Sequence, residues 1–215
     1  MAVIIHKNPH DARRRLAELG VAVEALVTAV RAGHVARLSC TENDASFIPG
    51  TEAWRFVVRV LRDELLPKGW RKAEPGNYPL VVSDKRRINI AVATGDVFTR
   101  DPRGAPKTKS PKGLYTEAAT IRNRYEEPDL FPETLPDNLR RAAVVLEYQT
   151  WILLIFITDE EFRAELSLPN EIGDDVVVSW YERIFVPDEP EEPGQIVTPL
   201  EDAGPDIDVP VRRKA

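Results

Sequence analysis

The longest apolar run in this chain of 215 residues extends over seven residues, from Trp151 to Ile157. Seven residues is the length of a β-strand and is far short of the roughly 20 that a transmembrane helix needs. We therefore expect a strand over 150–158. Two further strands, at 162–168 and 176–186, follow after short turns, and consecutive strands with short turns indicate an antiparallel meander.

The first half of the chain predicts helices. Asn8 and Pro9 form a typical helix start, and apolar residues at helical spacing then predict one helix over 10–32, which Gly33 would end. A second helix is predicted over 51–66, because its apolar residues fall on one narrow stripe.

A β-hairpin is predicted between the helices and the meander. Alternating apolar residues over 87–93 predict a half-buried strand, 78–83 predicts its partner, and the polar residues 84–86 form the tip. A possible strand also precedes the meander at 143–149. The fold class is therefore α+β, with N-terminal helices packed on one face of an antiparallel sheet that consists of the hairpin and the C-terminal meander.

We expect a single domain over 1–186, because neither half alone has enough helix or sheet to close a core. Its basic helical and hairpin part covers 1–125, and its acidic β-rich part covers 126–186. The remaining residues, 187–215, are rich in proline and acidic side chains and poor in large apolar ones. Such a segment buries too little apolar surface to offset the conformational entropy lost on folding, so we expect a disordered acidic tail.

The composition disfavours several classes of protein. A single cysteine, Cys40, excludes an intrachain disulfide framework and a cysteine-rich zinc site. The three histidines lack the spacing of a metal-binding helix, and no strong catalytic motif is present. Residues 1–9 lack the basic and long apolar segments of a secretory signal. We therefore expect a cytoplasmic binding protein rather than an enzyme, without a metal, a cofactor or a membrane contact.

The charges are divided unevenly along the chain, whose formal net charge is −6. Residues 1–125 carry 22 Lys and Arg against 13 Asp and Glu, whereas residues 126–215 carry 7 against 22. Such a division indicates polyanion binding by the basic half, or an acidic tail that meets a basic partner. The alternative is that both halves fold together and their charges interleave on one surface.

The basic half places its cations on a helix and on the hairpin that follows it. This order is that of a winged helix, in which a helix enters a groove of DNA and the wing contacts phosphate. The candidate nucleic-acid-binding residues are Arg55, Arg59, Arg62, Lys85, Arg86 and Arg87. The alternative is that these side chains only solvate a helix flank and a turn.

The long loop over 94–113 combines small residues, hydroxyls and lysines, as phosphate-binding loops do. It lacks the spacing of a P-loop. The candidate phosphate-binding residues are Lys107, Thr108, Lys109, Ser110 and Lys112. A long loop without structure is uncommon in a compact domain unless it is functional or disordered, so plain mobility is the alternative.

Three functions remain open on these observations. The first is a non-enzymatic accessory protein that binds DNA or RNA through the basic helix, hairpin and loop. The second is an enzyme or sensor that holds a nucleotide-like phosphate ligand on the 94–113 loop. The third is a protein-interaction subunit whose acidic tail docks on a basic partner.

Six short motifs complete the sequence evidence. They are Arg31–Gly33 with Ser39–Thr41, Pro49-Gly50 before Trp54, Pro67–Trp70, Ile90–Asp96, Thr108–Gly113 and Glu165–Pro169. Together they resemble a family of uncharacterised bacterial proteins associated with mobile genetic elements. That family has no established activity, so the resemblance carries over no catalytic residue. It implies a bacterial cytoplasmic setting and an accessory role in element maintenance or defence.

Overall fold

The computed structural model describes residues 3–125 and 127–187. Over these ranges it contains seven strands and five α-helices, together with three short 3₁₀ turns. In chain order the elements are β1 (Ile4–His6), α1 (Pro9–Glu18), α2 (Val23–Leu38), α3 (Ile48–Leu65), β2 (Arg71–Ala73), β3 (Leu80–Ser83), β4 (Ile88–Thr94), α4 (Leu114–Arg124), α5 (Asp137–Val145), β5 (Gln149–Ile157), β6 (Phe162–Gly173) and β7 (Val176–Phe185).

All seven strands belong to one mixed sheet, with the order β1-β7-β6-β5-β4-β3-β2. The α+β class predicted from the sequence is confirmed, and the hairpin β3–β4 and the meander β5–β6–β7 both form. The sheet is not wholly antiparallel, since β4 pairs with β5 and β1 pairs with β7 in parallel. A parallel neighbour requires a crossover, and the segment that carries α4 and α5 provides it between β4 and β5.

Helices cover both faces of the sheet, not one face as the sequence predicted. On β5, the side chains of Trp151, Leu153 and Ile155 pack with α1, α2 and α3, whereas Ile152 and Leu154 pack with α4 and α5. When both faces of a strand are buried, neither contacts water, and apolar side chains are favoured on both. The unbroken apolar sequence of β5 follows from this position.

The helix predicted over 10–32 is two helices, α1 and α2. Gly20 separates them with a left-handed φ of +75°, and the two axes differ by 103°. A Cβ atom on Gly20 would also lie 3.0 Å from Nε of Arg86, so a side chain there would displace the Arg86 side chain. The break therefore depends on one residue with no Cβ, and the apolar spacing on either side of it conceals the change in direction.

Gly33 does not end a helix as predicted, because α2 continues to Leu38. It lies where α2 crosses α3. A Cβ atom there would lie 2.5 Å from Cγ2 of Val57 and 2.8 Å from the backbone oxygen of Ala53. The missing side chain lets the two helices approach closely.

The replacement Gly33→Ala is expected to destabilise the protein by about 1–2 kcal/mol. Alanine gains up to about 1 kcal/mol in helix propensity, but overpacking against a backbone atom costs about 1–3 kcal/mol. Gly50→Ala is the matched control, because a Cβ atom on Gly50 meets nothing within 4 Å. Urea unfolding that shows both variants to be at least as stable as the wild type would exclude close packing at Gly33.

The prediction of a strand over 143–149 is wrong, because residues 143–145 form the end of helix α5 and β5 begins only at Gln149. The buried residues Leu139, Ala142, Ala143 and Leu146 recur at intervals of three and four, which is helical spacing. The local run of apolar residues conceals this longer period.

Tyr78 precedes β3, and burial raises the pKa of its hydroxyl to about 12, although the neighbouring Thr116 acts in the opposite direction. Because the pKa of Tyr78 is higher in the folded protein than in the unfolded chain, the unfolded chain ionises first as the pH rises. Ionisation therefore favours the unfolded chain. We therefore expect stability to fall as the pH rises from about 10 to about 12, by about 2 kcal/mol from this group. Comparison of the wild type with Tyr78→Phe at pH 8 and pH 11.5 isolates the effect, and equal losses in both proteins would contradict it.

The expected disordered tail lies outside the described residues, apart from Pro187. No single helix in the described ranges is long and apolar enough to cross a membrane; α1 and α2 reach the required length and composition only as a pair, bent by 103°.

Candidate nucleic-acid interface

The β3–β4 turn carries three adjacent exposed cations, Lys85, Arg86 and Arg87. The backbone NH of Arg86 donates to Oγ of Ser83 at 3.2 Å, which fixes the start of the turn. Arg87 adopts a left-handed φ of +56°, a conformation that costs an L-residue other than glycine about 1–2 kcal/mol. The turn therefore retains a large cationic side chain at a position that favours glycine.

The turn cations have no acidic partner in the part of the chain that the structure describes: no carboxylate oxygen there lies within 4.0 Å of a charged nitrogen of Lys85, Arg86 or Arg87. Two acids beside the turn, Asp84 and Glu147, contact Arg71 instead. Arg71 contacts Asp84 at 2.9 Å and Glu147 at 3.4 Å, and it lowers the pKa of Asp84. The turn thus offers positive charge that an external anion can neutralise.

The three arginines predicted on the preceding helix lie on α3, and each has an acidic partner. The pairs are Arg55 with Glu52 at 2.6 Å, Arg59 with Asp63 at 3.9 Å, and Arg62 with Glu74 at 2.7 Å. The guanidinium groups of Arg55 and Arg59 also lie over the Phe56 ring, at 4.5 and 5.9 Å from its centroid. The helix flank is therefore largely neutralised by the protein itself.

A winged helix does not form. The strands β3 and β4 lie inside the sheet, flanked by β2 and β5, so only the tip of the hairpin projects. Among the described residues, no hydrogen bond, ion pair or ring contact joins the tip to the α3 arginines. The helix and the hairpin of the sequence prediction thus carry two separate groups of cations.

An open groove of about 440 Å³ lies beside the turn. It forms because β4 and β5 are parallel and start at the same edge, with Ile88 opposite Gln149. Its polar walls consist of Arg86, Arg87, Arg122, Glu127, Glu147 and Tyr148. The last four were missed in the sequence, and no local signal marks them, because three separate segments meet only when the parallel pair forms.

Two contacts give the groove its shape. The guanidinium of Arg87 lies 5.7 Å from the centroid of the Tyr148 ring, which is a cation–π distance. Partial burial and the adjacent Asp84 carboxylate raise the pKa of Tyr148. Opposite them, Nη2 of Arg122 donates to the backbone oxygen of Glu147 at 2.6 Å, and this bond ties the end of α4 to the segment before β5.

Most backbone amide groups of the 94–113 loop donate to acceptors within the protein. The Asp96 carboxylate accepts from the amides of Phe98 and Lys107, and the Lys109 amide donates to the Thr94 oxygen at 2.8 Å. Thr108 is buried, and its hydroxyl accepts from the Val177 amide at 3.0 Å. These amide groups and this hydroxyl are therefore unavailable to a phosphate.

The other candidate residues of the loop differ in exposure. Lys107, Lys109 and Ser110 are exposed, whereas Lys112 is partly enclosed and burial lowers the pKa of its ammonium group. Among the described residues, no hydrogen bond, ion pair or shared groove joins these lysines to the cations of the β3–β4 turn. A phosphate site on the loop stays a prediction.

A buried ion pair holds the first half of this loop. Arg183 and Glu165 are 2% and 0% exposed, and their side chains lie 2.7 Å apart. Arg183 also donates to the backbone oxygens of Asp101 and Gly104, and Glu165 accepts from the Arg100 amide at 2.8 Å. These bonds attach the first half of the loop to Glu165 on β6 and Arg183 on β7.

Within 3–125 and 127–187, no three His, Cys, Asp or Glu side chains are placed to share a metal ion. Comparison of the chain with protein-family models, curated proteins and solved structures gives no match. The resemblance to bacterial proteins of mobile genetic elements stays an expectation from the sequence motifs.

Proposed function

We propose that the protein is a non-enzymatic accessory protein that binds DNA or RNA through the β3–β4 turn. One observation carries the proposal: Lys85, Arg86 and Arg87 are adjacent, exposed and without an acidic partner in the described part of the chain. Cations that neutralise phosphates release condensed counterions, and this release supplies much of the affinity for nucleic acid.

The distribution of charge over the basic half favours the turn over the other two candidate surfaces. The arginines of α3 would have to leave their acidic partners before they met a phosphate, and the loop has few free amides to offer one. The turn requires neither change. As part of the same proposal, the protein acts in the bacterial cytoplasm; the resemblance of its motifs to a family of bacterial proteins supports this setting.

The proposal is tested by fluorescence anisotropy with labelled 20-nucleotide single strands and 20-base-pair duplexes of two unrelated sequences. We expect binding at about 50 mM salt that weakens steeply by about 200 mM. Affinity should differ little between the two sequences, because phosphate contacts carry no base information.

The acidic tail calls for a second form of the protein in this test. Residues 188–215 contain eight acidic and three basic side chains, which could compete for the basic turn. The titration is therefore repeated with a chain that ends at Pro187. If neither form binds either nucleic acid at 50 mM salt, the proposed function is wrong.

A further inference from the structure

The groove beside the turn is lined by both cationic and anionic side chains. Its lining includes the cations Arg86 and Arg87 together with the carboxylates of Glu127 and Glu147 and the ring of Tyr148. Two carboxylates repel a phosphate inside the groove, but they can accept hydrogen bonds from the NH groups of a nucleobase. We infer that the groove receives one unstacked base of a single-stranded nucleic acid, and this inference rests on the proposed function.

The stacking surface is Tyr148 together with Arg87. Tyr148 is partly exposed, the Arg87 guanidinium lies over its ring at 5.7 Å from the centroid, and partial burial and the adjacent Asp84 carboxylate raise the pKa of its hydroxyl. Unstacked bases pack on aromatic rings and on guanidinium planes, and proteins that read single strands use both. Tyr148 and Arg87 together therefore offer a surface on which an unstacked base can pack.

Two carboxylates that line the groove, those of Glu127 and Glu147, are the candidate hydrogen-bond acceptors for a base. Glu127 is exposed and has no ion-pair partner among the described residues, and Glu147 keeps only a 3.4 Å contact with Arg71. Both retain acceptor capacity for base amino and imino groups. Bases inside a duplex are stacked and cannot enter such a groove without being flipped out, so the geometry favours single strands.

The volume agrees with this occupant. About 440 Å³ lies within the range of small-ligand sites, and the groove is open to solvent. The backbone of a strand can therefore run across Lys85, Arg86 and Arg87 while one of its bases points inward.

The test compares Tyr148→Ala and Tyr148→Phe in the full chain, with 20-nucleotide oligo(dC) and oligo(dA) and a 20-base-pair duplex at one salt concentration. Tyr148→Ala should weaken single-strand binding about 5- to 150-fold, which corresponds to the loss of one stacked base. It should change duplex affinity less than about twofold. Tyr148→Phe keeps the ring and should keep most single-strand affinity.

The outcomes separate the inference from the proposed function. If Tyr148→Ala weakens single-strand and duplex binding equally, or neither, the groove inference is overturned and the turn remains the binding surface. If the wild type binds neither nucleic acid, both are overturned.

A second measurement, on the wild-type protein, tests the inference even if Tyr148→Ala fails to fold. A single strand that contains 5-bromodeoxyuridine is irradiated with the wild-type protein, and the cross-linked peptide is identified by mass spectrometry. Cross-links at 147–149 support the groove, and cross-links found only elsewhere overturn the inference.

Discussion

Replacement of Lys85, Arg86 and Arg87 together by alanine is expected to reduce the salt dependence of nucleic-acid binding. Each lost phosphate contact lowers the slope of log affinity against log salt by about 0.7 to 0.9, so three contacts remove about 2 to 3. The fold should persist, because exposed substitutions usually change stability by less than about 0.5 kcal/mol each. Anisotropy titrations at four salt concentrations measure the slope.

A variant of equal charge change provides the control. Arg103, Lys107 and Lys109 are exposed on the 94–113 loop, and their joint replacement by alanine also removes three positive charges. It should change the slope by less than about 1, because distant exposed charges are screened beyond about 10 Å at 0.1 M salt. Equal losses in the two variants would show that total charge, and not the turn, determines binding.

The α3 arginines offer a further comparison. Arg55→Ala with Arg59→Ala removes two cations that the protein already neutralises with Glu52 and Asp63. A smaller loss of affinity than in the turn variant is expected. A loss as large would make the helix flank a binding surface in its own right.

The replacement Arg183→Met is expected to destabilise the protein by about 3–5 kcal/mol. The change leaves the Glu165 carboxylate buried without its counter-charge, and removal of one partner of a buried pair costs this much. It also frees the backbone oxygens of Asp101 and Gly104. Urea unfolding measures the loss, and limited proteolysis should cut the wild type more slowly than the variant at 98–104.

The controls for the buried pair are a surface pair and a double variant. Arg59→Met breaks an exposed pair and should cost less than about 1 kcal/mol. Glu165→Leu combined with Arg183→Met removes both charges and should cost less than the sum of the two single changes. A loss below about 1 kcal/mol for Arg183→Met would mean that the pair does not hold the loop.

The strands were predictable where the signal is local. The apolar run at 151–157, the short turns of the meander and the alternation over 87–93 each indicate an element without reference to the rest of the chain. The parallel pairing of β4 with β5 leaves no such signal, because the two strands are joined by more than fifty residues. Sequence therefore predicts the pieces of the sheet better than their order.

The helix break at Gly20 shows a second limit. Apolar spacing continues across it, and only the left-handed φ and the packing of Arg86 distinguish this glycine from one inside a helix. Gly33 shows the reverse, since a glycine that looks like a helix end instead allows two helices to touch.

The site was predictable in part. Consecutive cations at a hairpin tip were visible in the sequence, and the spacing of Arg55 from Glu52 and of Arg59 from Asp63 already places each pair on one helix face. Tyr148 was not visible as a site residue. It comes near Arg87 only through the β4–β5 register, which depends on the whole fold.

The most direct test of the account is a map of amide shifts in the ¹⁵N-labelled protein on addition of an unlabelled 20-nucleotide single strand at about 50 mM salt. We expect the largest shifts at 84–88 and 147–149, and only small shifts for the amides of 95–113. Shifts that are absent, or that are largest within 95–113, would contradict the claim that the β3–β4 turn is where this protein meets nucleic acid.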